Sequence, residues 1–209
     1  MKVFVINMPS PDSVGVYKKG IEVIADYCKR FGLDLFLLEK NDFGVHPSWL
    51  KLKCFDYTND DFVLCWDADL LPKKNIPNIV NSLKLDKINA VIDTCYYIRP
   101  SALLFPVATF RYNCGLVGFP RSYRGLMDKV FLEAKTSTLP SYEQYPLNFE
   151  LAKNQWKDVH ELDRSWNCIF HLPNLPTAFV TTAHMIHYTG IDNKTREMLI
   201  DGHRSLYFS

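Results

Sequence analysis

The chain has no Cys-x-x-Cys pair, no apolar stretch long enough to cross a bilayer, no marked excess of either charge and no internal repeat. Each absence narrows the field. Its six cysteines, Cys28, Cys54, Cys65, Cys95, Cys114 and Cys168, are scattered, which argues against a structural zinc site. Several lie inside apolar runs, where a free thiol behaves as a small hydrophobe. The start Met1-Lys2-Val3-Phe4-Val5-Ile6 is too short and too β-like for a secretory leader. A reducing, cytoplasmic setting is therefore expected. No transmembrane segment is expected, although contact with a membrane surface stays open. A net charge of +1 gives no bulk attraction to nucleic acid. No linker or low-complexity segment divides the chain.

What is present is an ordinary globular composition. Of 209 residues, 47% are hydrophobic, 22% charged and 14% aromatic, which suits one domain with a sizeable core. Val3 to Ile6 predicts a strand and Asn7 to Ser13 a loop. Val14 to Phe31 predicts a helix, because Val16, Ile21, Val23, Ile24, Tyr27 and Phe31 follow a helical period. Asp12 or Ser13 is its expected N-cap and Gly32 its stop. Then come a strand over Leu33 to Leu38, a short helix over Trp49 to Tyr57 and a strand over Phe62 to Trp66. A helix over Ile76 to Leu83 and a strand over Ala90 to Ile92 follow. This alternation predicts an α/β fold with a mostly parallel sheet covered by helices on both faces. In the second half, Cys95 to Tyr112 reads as strands and a loop, and Leu116 to Phe119 as a strand. Tyr123 to Lys135 and Glu143 to Lys153 read as helices, Ala178 to His187 as a late strand, and Asn193 to Ile200 as a terminal helix.

The most informative run is Phe62-Val63-Leu64-Cys65-Trp66-Asp67-Ala68-Asp69-Leu70-Leu71-Pro72. Five apolar or aromatic residues lead into two carboxylates spaced i, i+2. An apolar run bounded by a breaker reads as a buried strand. Charge placed at the end of such a strand is costly unless a cation compensates it. Magnesium and manganese favour carboxylate oxygens and leave positions for substrate phosphates. A metal–diphosphate site at the carboxyl end of a central strand is therefore expected, where Asn7–Tyr17 would converge with Asp67–Asp69. A solvated, helix-capping turn is the ordinary alternative. The phosphatases of the haloacid-dehalogenase type also follow a strand with Asp-x-Asp. They usually carry Thr or Val where this chain has Leu71, and carry the motif nearer the N-terminus.

Four separated segments resemble, in order, the GT-A fold nucleotide-sugar glycosyltransferases of the glycogenin and bacterial galactosyltransferase group (family 8 and its relatives). They are Asp67-Ala68-Asp69; Asn113-Cys114-Gly115-Leu116-Val117-Gly118; Glu143-Gln144-Tyr145-Pro146-Leu147-Asn148 with Leu162-Asp163-Arg164-Ser165-Trp166-Asn167; and Ile186-His187-Tyr188-Thr189-Gly190. Two departures stand out. Tyr145 replaces the second Asp that usually holds the donor sugar, which leaves donor identity open. Ile191-Asp192-Asn193-Lys194 replaces the group's Lys-Pro-Trp.

The resemblance implies one GT-A domain over 1–209, with a nucleotide-binding half at about 1–95 and a sugar and acceptor half at about 96–209. It implies that Asp67, Asp69 and His187 hold Mn2+ or Mg2+. Gln144 and Glu143 would lie by the anomeric carbon, Glu143 being the stronger nucleophile and the neutral amide favouring a front-face course. Asn113 and Gly115 would meet the sugar. Lys51 and Lys194 would reach the diphosphate. Tyr17 would stack on uracil, with Asp12 accepting from the base or ribose. Each has a plain structural alternative: a core role for His187, a helix first turn for Glu143 and Gln144, a turn for Asn113 and Gly115, an exposed position for Lys51, an N-cap for Asp12. His184, Trp156 and Trp166 read as structural. The expected activity is transfer of a hexose or deoxyhexose from a UDP-sugar to a glycan or glycoprotein acceptor, with retention. The chain would be a piece of a larger multidomain protein. A non-catalytic module binding nucleotide sugar or glycan is the competing class.

Overall fold

The computed structural model describes residues 1–93, 111–136, 143–170 and 177–208. Strand β1 (Lys2–Ile6) leads into helix α1 (Val14–Phe31), which ends at Gly32. Gly32 takes a left-handed φ of 64°, and its N–H caps the Lys29 carbonyl, so the helix stops where glycine alone is unstrained. The buried face of α1 is Val16, Gly20, Ile24, Tyr27 and Cys28, a helical spacing. The other strands of the main sheet are β2 (Asp34–Leu38), β3 (Phe62–Trp66), β5 (Ile88–Ile92), β6 (Tyr112–Pro120) and β7 (Val159–Leu162). Their order is β2-β1-β3-β6-β5-β7.

The β1–β2, β1–β3 and β5–β7 pairs are parallel, and β6 runs antiparallel to both β3 and β5. The expected mostly parallel sheet is therefore present, with one reversed interior strand. Every residue of β3 is buried, as its unbroken apolar run required. Alternate residues feed two cores. Phe4, Ile6, Val63 and Cys65 pack with helices α2 (Arg124–Thr136) and α3 (Gln144–Lys153). Val3, Val5, Phe62, Leu64 and Trp66 pack towards Ile24, Tyr27 and Cys28 of α1.

The reversed strand matters for the site. Because β6 is antiparallel, its first residues lie at the carboxyl ends of β3 and β5. Its pairing with β5 jumps from Ala90↔Val117 to Val91↔Asn113, so Cys114, Gly115 and Leu116 face no residue of β5. A second sheet has the order β4-β9-β8, built from β4 (Leu70–Pro72), β9 (Met185–His187) and β8 (Cys168–Ile169). Its register puts Leu70 opposite His187.

Three expectations are corrected. Residues 178–187 are not one strand: helix α4 (Thr177–Thr182) precedes the short β9. Lys73 Nζ donates to the Val180 and Thr181 carbonyls at 2.5 and 2.9 Å, satisfying the helix end despite its β-branched residues. The helix expected at 76–83 is reduced to a 3-10 turn, Ile79–Ser82, because the Asn78 side chain accepts from Val80 N and starts the chain afresh after Pro77. The segment around Trp49 is a 3-10 helix (Pro47–Asp56) entered through Pro47 and capped by the His46 ring. Most of the stretch expected over residues 95–112 lies outside the described residues. Helix α5 (Asn193–His203) runs three residues past its expected end.

Leu64 is fully buried in the central strand. Leu64→Ala is expected to lower unfolding free energy by about 2–5 kcal/mol through lost transfer energy and a residual cavity. Urea denaturation checks this, and a loss below about 1 kcal/mol contradicts the packing described.

Candidate metal centre

The turn Asp67-Ala68-Asp69 is held from five directions. Asp67 N donates to Gly115 O at 2.8 Å, Leu70 N to Asp67 O at 3.0 Å and Tyr188 N to Asp69 O at 2.9 Å. The Trp66 indole N–H closes the turn onto Leu70 O at 2.6 Å. From below, Gly20 of α1 touches the Ala68 carbonyl so closely that a Cβ there would lie 1.7 Å from the oxygen. The second sheet then brings His187 alongside. The ligand atoms of Asp67, Asp69 and His187 lie within 4.8 Å of one another.

Each of the three side chains has its remaining polar atom occupied. Asp67 Oδ1 pairs with Lys51 Nζ at 2.7 Å, while Oδ2 faces His187 Nε2 at 3.9 Å. Asp69 Oδ2 pairs with the Arg196 guanidinium at 3.3 Å, while Oδ1 lies 3.3 Å from His187 Nε2. His187 Nδ1 bonds Asn167 Oδ1 at 2.9 Å. One atom of each is thus left pointing at a common centre. His187 Nε2 itself is buried and makes no hydrogen bond. Two carboxylate oxygens and an imidazole nitrogen converging without a donor between them form a set that fits a divalent cation.

Lys51 is a deeply buried charge. It is only 3% exposed and donates to Asp67, to Glu143 Oε1 at 2.7 Å and to Cys114 O at 2.8 Å. Burial works against its charge, yet Asp67 and Glu143 outweigh it and hold the ammonium well above its ordinary pKa. Asp67 is pushed up to about 6, by burial first and by its neighbour Asp69, against the pull of Lys51 and His187. Asp69 moves down: burial raises it, but His187, Arg196 and Lys51 together prevail. Burial, then Asp67 and Asp69, push the Tyr17 phenol up to about 12, so it is neutral at physiological pH.

A cavity of about 1050 Å3 opens over this cluster. Its wall includes Tyr17, Lys51, Asp67, Asp69, Asn113, Gly115, Glu143, Gln144 and His187, so nine of the residues expected from the sequence come together. Asp12 and Lys194 do not line it; both are exposed, and Asp12 bonds the Asn193 amide at 2.9 Å rather than capping α1. Arg196, two residues beyond Lys194, lines the cavity instead. Gly115 serves the metal side: the space a Cβ would fill is taken by the His187 ring, 2.3 Å away. Asn113 Oδ1 accepts from Gly115 N and Asn167 Nδ2, both at 2.8 Å. Gln144 spans the site, accepting from Cys114 N at 3.2 Å and donating to Asp93 at 2.9 Å. Glu143 Oε2 is buried without a partner.

Sequence reasoning missed Arg196, Asn167, Asp93 and Gly20. Arg196 lay two residues beyond Lys194 in the helix expected over Asn193 to Ile200, where it could have been weighed beside that lysine. Gly20 was findable too, as a glycine inside an amphipathic helix, a common mark of close packing. Asn167 carried no signal beyond its place in the Leu162–Asn167 segment, and Asp93 carried none.

Gly20→Ala is expected to push the Ala68 carbonyl away and misplace both acids. Mn2+ affinity, read by calorimetry, should fall about tenfold or more while far-ultraviolet circular dichroism stays unchanged. Unchanged affinity would show that α1 does not set the turn.

No protein-family model and no curated protein matches the sequence. Solved structures do match the fold. A glycosyltransferase involved in glycosylation of the major capsid of PBCV-1 aligns at a TM-score of 0.73 and 14% identity, over 96% of this chain and 98% of that one. The galactosyltransferase LgtC, solved with donor and acceptor sugar analogs, aligns at 0.61 and 12% identity, over 97% and 96%. GlyE of Streptococcus pneumoniae TIGR4 aligns at 0.59 and 12% identity, over all of this chain and 64% of that one. A mixed sheet with one reversed strand, its two-acid turn at the end of β3, and alignments over nearly the whole of the first two structures together give the chain the GT-A fold.

Proposed function

We propose that this protein is a glycosyltransferase that moves a hexose or deoxyhexose from a UDP-sugar to a glycan or glycoprotein acceptor, with retention and with Mn2+ or Mg2+ bound. The observation that carries the reading is the convergence of Asp67, Asp69 and His187 on one donor-free point beneath a cavity of nucleotide-sugar size. The likeness to the PBCV-1 capsid enzyme and LgtC supports sugar transfer as the chemistry, and the first suggests a glycoprotein acceptor. Burial of the five free thiols among the described residues suits a reducing, cytoplasmic setting.

Asp67 Oδ2, Asp69 Oδ1 and His187 Nε2 would hold the ion. When bound, it supplies positive charge to a diphosphate leaving group as the sugar–phosphate bond breaks. Lys51 pairs with both Asp67 and Glu143 and locks them in place. Arg196 presents guanidinium N–H groups to the same face, taking the diphosphate role expected of Lys194. Tyr17 offers a neutral aromatic face to the uracil. Glu143 Oε1 is held by Lys51, which leaves the buried, unpartnered Oε2 available to the reacting sugar. Gln144, bonded at both ends of its amide, fixes the floor beneath that sugar.

Manganese-dependent release of UDP from UDP-sugars is the direct test. Asp69→Ala should cut it by roughly a hundredfold or more, about 3 kcal/mol in transition-state stabilisation. Manganese-assisted UDP binding with no turnover on any donor, read as a thermal shift alone, would favour the non-catalytic module. Arg196→Ala should weaken UDP binding roughly tenfold and leave uridine binding unchanged. Equal losses for both ligands would remove Arg196 from the diphosphate.

A further inference from the structure

We infer that Asn167 is a positioning residue that forces His187 into the tautomer carrying its proton on Nδ1, so that a bare Nε2 lone pair faces Asp67 and Asp69. The inference rests on the reading that these three side chains form a metal site, and it adds how the protein keeps that site open.

The proton assignment follows from a chain of hydrogen bonds that begins at a backbone donor. Gly115 N–H can only donate, so the Asn113 atom 2.8 Å from it is the carbonyl oxygen. The other Asn113 amide atom, its nitrogen, then faces the Asp93 carboxylate at 3.2 Å, as charge requires. Asn113 Oδ1 also receives Asn167 at 2.8 Å, so the Asn167 atom there is its nitrogen. Its oxygen is left facing His187 Nδ1 at 2.9 Å. An amide oxygen has no proton to give, so Nδ1 carries one. In the neutral ring Nε2 is then bare.

This arrangement is not what the immediate surroundings of the ring favour. Two carboxylates face Nε2, at 3.3 and 3.9 Å. Left alone, they would draw the proton to Nε2, and an Nε2–H donated to Asp69 would fill the space between the ligands. The site would then be closed to cations by its own histidine. Asn167, 1% exposed, opposes this with an oxygen whose orientation is fixed, two hydrogen bonds away, by the β6 backbone. The open stretch of β6 from Cys114 to Leu116 gives Gly115 N–H the freedom to serve Asn113 instead of the β5 ladder. Gly115 also makes room for the ring. Register does the rest: Asn167 directly precedes β8, whose Ile169 pairs with His187.

The test is heteronuclear NMR of the ring nitrogens in metal-free protein at alkaline pH, with calorimetric Mn2+ titration beside it. Wild type should show His187 with a protonated Nδ1 and a bare Nε2. Asn167→Leu, which cannot accept, should move the proton to Nε2 and weaken Mn2+ binding by roughly 10–100-fold. Asn167→Asp still accepts from Nδ1, so it should keep the tautomer even though its second oxygen faces Asn113. A purely structural role for Asn167 would leave the tautomer unchanged in both variants. An Nε2–H tautomer in wild type, or an unmoved proton in a folded Asn167→Leu, would overturn the inference. The tautomer is read without metal or substrate, so failure of Mn2+ to bind wild type would count against the metal reading alone.

Discussion

A lysine ammonium buried at 3% exposure in the wall of the cavity is the constraint around which the site is organised. Isolated, such a charge is strongly unfavourable. Lys51 is stable there because three acceptors surround it, and each comes from a different part of the chain. Asp67 ends the central strand, Cys114 lies in the open stretch of β6, and Glu143 immediately precedes α3. Removing any one acceptor leaves a poorly compensated charge in the interior, so these segments are bound to one another electrostatically as well as by packing. The same pairing decides which oxygen of Asp67 remains free. Geometry at the Asp67–Asp69–His187 cluster is therefore inherited from the Lys51 contact.

The reversed strand supplies the second half of the plan. A fully parallel sheet would bring only strand ends to the ligand edge. Because β6 enters from that edge, it contributes backbone donors and acceptors there: Gly115 O to Asp67, Gly115 N to Asn113, Cys114 N to Gln144 and Cys114 O to Lys51. The loosened pairing with β5 is what leaves these groups available. Backbone groups of a sheet move little, so side chains anchored to them are well suited to hold a preorganised site.

Much of this was legible in the sequence, for definite reasons. The run into Asp67 was apolar on both faces, and β3 begins and ends where that run does. Gly32 closed α1 as its φ demanded. The acids were readable because charge after an apolar strand needs compensation, and the late histidine because Ile186-His187-Tyr188-Thr189-Gly190 resembles a family motif. Reading failed where tertiary contacts overrode local preference. Thr-Ala-Phe-Val-Thr-Thr has strand-forming residues yet is helical, its end satisfied by Lys73. Lys194 rested on the resemblance, in place of the lysine of the group's Lys-Pro-Trp, whereas a helix turns its side chains and brings Arg196 to the cavity. Asn167 stayed invisible because its role depends on the orientation of an amide, which no residue pattern encodes.

The second sheet joins the two ends of the molecule. Leu70 sits early in the chain and His187 near its end, and they are direct partners across β4 and β9. An ion gripped by Asp69 and His187 would clasp more than half the polypeptide into a single loop. Its hold would be felt far from any sugar, as resistance of the β9 and α5 region to transient opening. The same grip that readies the cavity would thus also fasten the tail of the protein to its heart.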